Sequence, residues 1–443
     1  MALSGIQIYK LLPQTNCKEC GFPTCLAFAM KLAAKQVELS GCPYVSEASK
    51  AQLAESAAPP IRLITLKSIC YEVKAGNEVV MFRHEKTFYN KPGLFIKVRD
   101  DEPLEVIKAK VVVADAYTTN YVGIDLVLDG FAVESANESA SDAAVKFSAA
   151  ISAIREVSHK PVILISLNPA VISAGLKVVD GEHPMVYAAN SKNWAEMTDL
   201  AKQHQASIAV NAVSLEELAE LTEKVKSKGL EDMILDPTGM GLSRSLTLNT
   251  QIRRLALKKN FRALGYPIIV FPENEMAAAQ AIAKYAGFVV LDRFAPELVY
   301  PLLVLRQNIY TDPQKPIQVQ PGLYEINAPK PESPVLVTTN FSITYFSVAN
   351  EVEGSGLPAW LLVTDAEGMS VLTAWAAGKF DAERIAKAVK SFNVADKVSI
   401  KRIVLPGHVA VLSGELESEL PGWDIRVGPR EAVDLPKFMK QAL

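Results

Sequence analysis

Four of the five cysteines lie close together near the N terminus, in the pattern C-x₂-C-x₄-C-x₁₆-C. They are Cys17, Cys20, Cys25 and Cys42. The first three fall in a loop that also contains Gly21 and Pro23, so they cannot all be inert core residues, and we expect them to converge on one centre. Thiolates are soft ligands that select zinc or iron–sulfur clusters. Four cysteines are the usual ligands of a [4Fe–4S] cluster, and Pro43 after the last cysteine is typical of ferredoxin-like loops.

A structural zinc site and a disulfide pair are the alternatives for this segment. The Cys17–Cys20 pair suits zinc, but the first three cysteines lie too close together to form two separated zinc knuckles. The fifth cysteine, Cys70, stands alone in a strand pattern, and we expect it to be a small buried residue.

The composition limits the classes of partner. The chain has 443 residues, a formal net charge of -3 and no block of Lys and Arg, which argues against nucleic acid as the main partner. It shows no secretory signal and no apolar run long enough for a membrane helix. We therefore expect a soluble, cytoplasmic α/β protein with more than one domain.

Composition changes along the chain predict four segments. They are a cluster domain at 1–57, a linker with short strands at 58–92, a barrel domain at 93–318 and an α/β domain at 325–443. Between 61 and 115 the runs IRLITL, YEVK, EVVMFRHEK, GLFIKVR and VIKAKVVVADAY are interpreted as short strands that form a spacer or a cap. Six prolines between 313 and 334 predict a linker.

The central part alternates apolar strands with helical patterns. The strand candidates are 123–130, 161–167, 184–190, 207–213, 232–238, 267–272, 288–292 and 301–307. Near-continuous apolar strands separated by helices indicate parallel strands that are covered on both faces. Eight of them predict a (β/α)₈ TIM-type barrel, with an open doubly wound sheet as the alternative.

Polar residues follow several of these barrel strands. They are Asn168, Asn190, Asn211, Asp236 and Asp292. Asn and Asp at successive strand ends resemble the pterin-binding barrels, in which such residues hydrogen-bond the pterin. The alternative is that they cap loops and helix N-termini.

The C-terminal part repeats the α/β pattern on a smaller scale and predicts a Rossmann-like domain. Strands are expected at 335–339, 359–365, 401–406 and 423–428, and helices at 341–352, 370–391, 414–420 and 430–442. Small and hydroxyl residues follow each strand, at the sheet edge where α/β domains bind ligands. Such a site suits a corrin ring rimmed with amides, and it would equally suit a nucleotide.

Two sets of motifs carry a family resemblance. CGFPTC, LAFAMKLAAKQ and Gly41-Cys42-Pro43 resemble the small iron–sulfur domain of corrinoid iron–sulfur proteins. SVLTAWAAGKF (370–380) and LPGHVAVLSGEL (405–416) are similar to the large (gamma) subunit family of the corrinoid iron–sulfur protein in the acetyl-CoA synthase/CO dehydrogenase pathway, and the resemblance covers essentially the whole chain.

The resemblance implies a methyl carrier that acts as a methyltransferase component. Its Co(I) corrinoid would accept a methyl group from methyltetrahydrofolate through a methyltransferase and deliver it to acetyl-CoA synthase, and the [4Fe–4S] cluster would reduce Co(II) back to Co(I). The implied partners are a small subunit in a heterodimer, the methyltetrahydrofolate methyltransferase, and acetyl-CoA synthase/CO dehydrogenase. Neither nucleic acid nor a membrane is implied.

The corrinoid is expected to be base-off, without a protein histidine on cobalt, because neither His183 nor His408 lies in the Asp-x-His-x-x-Gly loop that provides such a ligand. Thr373 is expected near the lower face of the cobalt, and Gly407 and Gly414 are expected to give backbone access. The candidate corrinoid contacts are Thr339, Asn340, Thr344, Phe346, Ser370, Val371, Leu372, Thr373, Gly407, Gly414, Glu431 and Ala432. No residue is predicted to be catalytic.

Two other functions remain open from the residues alone. One is an iron–sulfur electron-transfer subunit without a corrinoid, which leaves the C-terminal domain unexplained. The other is a pterin-dependent methyltransferase that acts through the barrel.

Overall fold

The computed structural model describes residues 4–34, 36–50, 53, 59–121, 123–237, 241–312 and 316–442. The domain boundary expected at 57–58 and the start of the proline-rich linker at 313–315 lie outside these ranges. The chain divides into two compact units, Met1–Thr119 with Leu126–Tyr310, and Asn120–Asp125 with Thr311–Leu443. None of the described helices is long and apolar enough to cross a membrane.

The cysteine segment begins with the short helices α1 (Gly5–Tyr9) and α2 (Cys25–Ala33). Ser4 caps α1 through a capping box with Gln7, and the Thr24 hydroxyl accepts a hydrogen bond from the backbone N–H of Ala27 at the start of α2. A small core of its own holds the segment together. Its buried members are Ile8, Leu12, Cys25, Phe28, Ala29, Cys42, Val45 and Leu53.

A two-stranded hairpin precedes the barrel and closes one of its ends. Strands β1 (Ile64–Lys67) and β2 (Glu72–Ala75) are antiparallel, and their buried side chains belong to the same core as the barrel interior. A Cβ at Gly93 or Gly287 would lie within 3 Å of the hairpin side chains, and both glycines are near the start of barrel strands. The expected spacer is therefore a plug at the amino-terminal end of the barrel.

Eight parallel strands form a closed barrel, which confirms the predicted fold class. They are β3 (Gly93–Arg99), β6 (Gly130–Glu134), β7 (Val162–Ile165), β8 (Met185–Ala189), β9 (Ser207–Asn211), β10 (Met233–Asp236), β11 (Ile268–Val270) and β12 (Ala286–Leu291). Between β3 and β6 lies a hairpin of β4 (Thr118–Tyr121) and β5 (Ile124–Val127). The barrel strands are almost entirely buried, as expected for parallel strands covered by helices. These helices are α3 (Leu104–Asp115), α4 (Ala143–Arg155), α5 (Pro169–Val178), α6 (Trp194–Gln203), α7 (Leu215–Ser227), α8 (Leu242–Lys259), α9 (Glu275–Ala283) and α10 (Pro296–Ile309).

Several strand predictions at the two ends of the barrel sequence are wrong. The run at 301–307 lies inside α10, whose buried residues Val299, Leu302, Leu303 and Arg306 follow a helical spacing. VIKAKVVVADAY falls mainly on α3, and the predicted strand EVVMFRHEK (78–86) contains no strand. The predicted strand 123–130 contains β5, whereas GLFIKVR is the first barrel strand. Short apolar runs mislead here because a buried helix and a buried strand have the same composition.

The C-terminal unit is a five-stranded sheet of Rossmann-like form. Its strands are β13 (Gly322–Ile326), β14 (Val335–Thr339), β15 (Ala359–Thr364), β16 (Arg402–Leu405) and β17 (Asp424–Val427), in the order β13-β15-β14-β16-β17 with only β13 antiparallel. Its helices are α11 (Ser342–Ser355), α12 (Val371–Ala376), α13 (Ala382–Ser391), α14 (Val394–Lys397), α15 (Ser413–Glu419) and α16 (Leu435–Ala442).

The four predicted parallel strands of this unit are confirmed, and two other details differ from the expectation. The edge strand β13 lies in the segment expected to be a linker, and the single helix expected at 370–391 is divided into α12 and α13. The break follows from Gly378, whose φ of 65° lies in the left-handed region and ends the first helix.

Candidate functional site

The backbone of the cysteine loop adopts left-handed conformations at several positions. Four residues between 14 and 21 have positive φ angles, namely Gln14, Asn16, Lys18 and Gly21. Recurring left-handed residues are a feature of backbone nests, which direct successive N–H groups toward negative charge and occur at many iron–sulfur sites. Cys25 is the first residue of α2, where the helix dipole favours negative charge. Its backbone N–H donates to Asn16 Oδ1 at 2.8 Å, which fixes the loop to the helix.

The four cysteines differ in exposure. Cys25 and Cys42 are buried in one small core, Cys20 packs against that core and is partly exposed, and Cys17 is exposed on the loop. Within the described ranges no three His, Cys, Asp or Glu side chains stand close enough together to hold a metal ion. The donor chemistry and the loop backbone nevertheless fit an iron–sulfur cluster. Cys70 is exposed in the turn between β1 and β2, so the expectation that it is buried was wrong.

The carboxyl-terminal end of the barrel holds a polar network. Asp236 Oδ2 accepts hydrogen bonds from the Tyr187 hydroxyl at 2.6 Å and from Asn211 Nδ2 at 2.7 Å. Burial, together with the Asp236 charge, raises the pKa of Tyr187 above its ordinary value, so the phenol stays protonated and remains a donor. The Tyr187 ring packs edge-on against Phe271.

The other polar residues at the strand ends have local partners. Asn168 Oδ1 caps α5 by accepting from Ala170 N at 3.0 Å, and Asn190 Oδ1 accepts from the backbone N–H of Lys192 at 2.9 Å. Asp292 pairs with Lys97 at 2.8 Å. Two of the five residues singled out from the sequence are thus caps, and three join side-chain clusters. Tyr187 was missed because a tyrosine in an apolar strand looks like core.

A cleft of about 320 Å³ lies in the C-terminal unit, beside β14 and β16. The chain passes from β14 to β15 on one side and returns to β16 on the other, so the strand order reverses at this point. Such topological switch points are where open α/β sheets bind ligands. The residues that line it are Leu336, Val337, Thr338, Ile343, Thr344, Ser347, Val348, Ser370, Val371, Leu372, Val404, Leu405, Pro406, His408, Gly428, Pro429, Arg430, Glu431, Ala432 and Leu435.

Half of the expected corrinoid contacts line this cleft. They are Thr344, Ser370, Val371, Leu372, Glu431 and Ala432. Thr373 is exposed and does not line the cleft, but its Oγ1 lies 3.0 Å from Oγ of the lining residue Ser370. Thr339 is buried next to lining residue Thr338.

The remaining expected contacts have other surroundings. Asn340 Oδ1 accepts from the backbone N–H groups of Ala366 and Gly368 at 2.9 and 3.0 Å, so it orders the loop after β15. The Phe346 ring packs edge-on against Tyr345. A Cβ at Gly407 would lie 2.6 Å from the carbonyl oxygen of Gly428, so that glycine permits contact between two loops, whereas Gly414 has open space beside it.

Three buried hydroxyl groups near the end of β14 have no hydrogen-bond partner among the described residues. They belong to Thr338, Thr339 and Ser342. Buried polar side chains in folded proteins are normally paired. Thr338 is only 1% exposed and also lines the cleft, and its hydroxyl is buried without a partner. The sequence did not identify Thr338, Ser347, His408 and Arg430 as lining residues. Nothing in the sequence distinguishes them from adjacent residues that do not line the cleft.

Two family profiles match the chain. The profile described as CO dehydrogenase/acetyl-CoA synthase delta subunit matches residues 64–439, and the one described as putative Fe-S cluster matches residues 12–44.

Relatives match over nearly the whole length. The corrinoid/iron-sulfur protein large subunit of Moorella thermoacetica is 44% identical, with all of both chains covered. The acetyl-CoA decarbonylase/synthase complex subunit gamma of Methanopyrus kandleri is 34% identical over 99% of this chain and 98% of its own. Among solved structures, dihydropteroate synthase of Yersinia pestis is 10% identical with a TM-score of 0.39, and it covers 55% of this chain and 99% of its own.

Proposed function

The chain belongs to the family described as CO dehydrogenase/acetyl-CoA synthase delta subunit, and on that basis we propose that it is a corrinoid- and [4Fe–4S]-containing methyl carrier of the acetyl-CoA pathway. Its relatives are named as a corrinoid/iron-sulfur protein large subunit and as a subunit of an acetyl-CoA decarbonylase/synthase complex. A large subunit implies a small-subunit partner. The proposed partners are that subunit, a methyltetrahydrofolate methyltransferase, and acetyl-CoA synthase/CO dehydrogenase.

The cleft at the switch point supports this proposal most directly. It combines an apolar floor with the unpartnered Thr338 hydroxyl and the hydroxyls of Thr344 and Ser370. A corrin ring carries amide groups around its edge, and hydroxyl groups can donate to amide oxygens. The bound corrinoid would supply a cobalt that accepts and releases the methyl group. The residues that line the cleft would bind the cofactor, orient it and exclude water from it.

The base-off state is part of the proposal because His408, the histidine that lines the cleft, does not lie in an Asp-x-His-x-x-Gly sequence. His408 lines the cleft, with its Nε2 3.7 Å from Glu431 Oε1, so it has an acidic partner at the wall. We expect His408→Gln to leave the electron paramagnetic resonance spectrum of the Co(II) form unchanged, without nitrogen hyperfine splitting in either protein. A splitting lost in the variant would show that His408 is a cobalt ligand.

The cysteine segment is proposed to hold the cluster that restores Co(I). Cys17, Cys20, Cys25 and Cys42 would be its four ligands, with Asn16 fixing the loop and α2 favouring the negative charge of the thiolates. No other role in methyl transfer is assigned to this segment.

Metal analysis of the full chain, prepared anaerobically with its small subunit, tests the proposal. We expect about four iron atoms per chain together with cobalt, and a visible spectrum that changes when a methyl donor and the methyltransferase are added. Iron without cobalt would indicate an electron-transfer subunit, and zinc in place of iron would contradict the cluster.

A further inference from the structure

The ionisable side chains of the cleft are confined to one wall. His408 follows β16, and Arg430 and Glu431 follow β17, whereas every other lining residue is apolar, hydroxyl-bearing or glycine. A ligand in the cleft therefore meets a cation only on this wall. A cleft of about 320 Å³ is at the lower end of the size of small-molecule sites. A corrinoid is much larger than such a ligand, so only part of it would enter.

Arg430 provides a guanidinium on this wall. Glu431 faces His408 at 3.7 Å, but the Arg430 guanidinium has no ion pair or hydrogen bond within the described part of the chain. A guanidinium presents several N–H donors in a planar arrangement that matches the oxygens of a phosphate.

The loop that carries Arg430 is held in place before any ligand binds. The backbone N–H of Gly407 donates to Pro429 O at 2.9 Å, and that of Gly428 donates to Leu405 O at 2.8 Å. A Cβ at Gly407 would lie 2.8 Å from Arg430 N, so the two loops are in close contact. This contact fixes the backbone of Arg430 at the edge of the cleft.

We propose that Arg430 binds the phosphodiester of the corrinoid's nucleotide loop, and that the cleft thereby selects a complete corrinoid over one that lacks the nucleotide. This inference rests on the proposed function. The amides around a corrin ring are neutral, and the phosphodiester of the nucleotide loop is the anionic group that a complete corrinoid adds. The hydroxyl groups of the cleft would match the neutral amides, and the Arg430 guanidinium, which has no ion pair within the described part of the chain, would match the phosphodiester.

Equilibrium binding of two corrinoids to the cofactor-free full chain tests the proposal. The probes are hydroxocobalamin, which has the nucleotide loop, and hydroxocobinamide, which lacks it, and binding is followed by visible absorption. In Arg430→Gln we expect the affinity for hydroxocobalamin to fall about 10- to 100-fold, as for loss of a charge-assisted hydrogen bond, while the affinity for hydroxocobinamide is unchanged. The cost of detaching the lower base is the same in every variant and cancels from the comparison.

Two further variants make the result specific. Arg426 lies on β17 outside the cleft and pairs with Asp424 at 2.9 Å, so Arg426→Gln is the matched control and should bind both corrinoids as the wild type does. Arg430→Lys keeps the charge and loses the planar donors, so its hydroxocobalamin affinity should lie between those of the wild type and Arg430→Gln.

The outcomes separate this proposal from the proposed function. Suppose that the wild type binds both corrinoids. If Arg430→Gln then weakens the binding of both equally, or leaves both unchanged, Arg430 does not recognise the phosphodiester, and the proposed methyl-carrier function still stands. If the wild type binds neither corrinoid, with or without its small subunit, the proposed function itself is wrong.

Discussion

At the scale of single residues, the most informative groups are buried hydroxyls that lack a hydrogen-bond partner among the described residues. Thr338 on β14 and Thr364 on β15 lie one register position apart on paired strands, and both are buried. Thr364 Oγ1 donates to the backbone oxygen of Thr338 at 3.2 Å, whereas Thr338 Oγ1 has no partner among the described residues. Removal of the hydroxyl group should therefore change the stability of the protein in opposite directions at Thr338 and Thr364.

Thr338→Val should stabilise the cofactor-free protein by about 1 kcal/mol, because it removes a buried hydroxyl that is desolvated without a hydrogen bond. Thr364→Val is the matched control and should destabilise the protein by about 1 kcal/mol, because it removes a bond that is made. Urea unfolding of the two variants measures both changes. We also expect Thr338→Val to weaken corrinoid binding, and a destabilised cofactor-free Thr338→Val would show that its hydroxyl is paired within the protein.

At the scale of elements, the periodicity of the sequence predicted most of the strands and helices. It failed where a buried helix and a buried strand have the same apolar composition. The four parallel strands of the C-terminal unit were placed correctly because each is a short run that contains Val, Ile, Leu or Thr and is bounded by turn residues. The run at 301–307 was wrongly predicted to be a strand. It is part of the longer helix α10, and its apolar residues alone do not distinguish a buried helix from a buried strand. β13 was missed because proline-rich surroundings obscure a single antiparallel edge strand.

The close contact between the loops after β16 and β17 can be tested by substitution of Gly407. Gly407→Ala places a methyl group against backbone atoms of Gly428 and Arg430, which cannot move independently. We expect a loss of about 1–3 kcal/mol of unfolding free energy and weaker corrinoid binding, because the 428–431 segment is displaced. Thermal unfolding and the visible absorption of bound corrinoid measure the two effects.

Gly414→Ala is the matched control for this change. Gly414 lies within α15 with nothing near its Cβ position, so alanine should stabilise the protein by roughly 0.5–1 kcal/mol. Equal effects of the two substitutions would show that the loop contact at Gly407 does not exist in solution.

At the scale of the whole molecule, the two candidate cofactor sites lie in different compact units. The cysteine segment belongs to the first unit and the cleft to the second. Each is built from its own core, since Cys25 and Cys42 pack with Phe28, while the cleft lies over the sheet of the C-terminal unit. Loss of one cofactor should therefore leave the other site intact.

Cys25→Ser should lose iron and keep cobalt, because it removes one of the four proposed thiolate ligands and does not touch the cleft. Cys70→Ser is the matched control, since Cys70 is exposed in the β1–β2 turn, and it should keep both metals. Iron and cobalt analysis of anaerobically purified variants checks this. Parallel loss of cobalt in Cys25→Ser would contradict the independence of the two sites.

The sequence by itself determined the cysteine set, the alternation of strands and helices, and six of the residues that line the cleft. These are local properties, because thiol spacing, side-chain periodicity and the residues that follow a strand are read within a few positions. Only the tertiary structure decided that the barrel closes, that the hairpin plugs it, and that Thr338 and Arg430 line one cleft. Those facts depend on which strands are neighbours and on which polar groups find partners, and both are set by contacts between residues far apart in the chain.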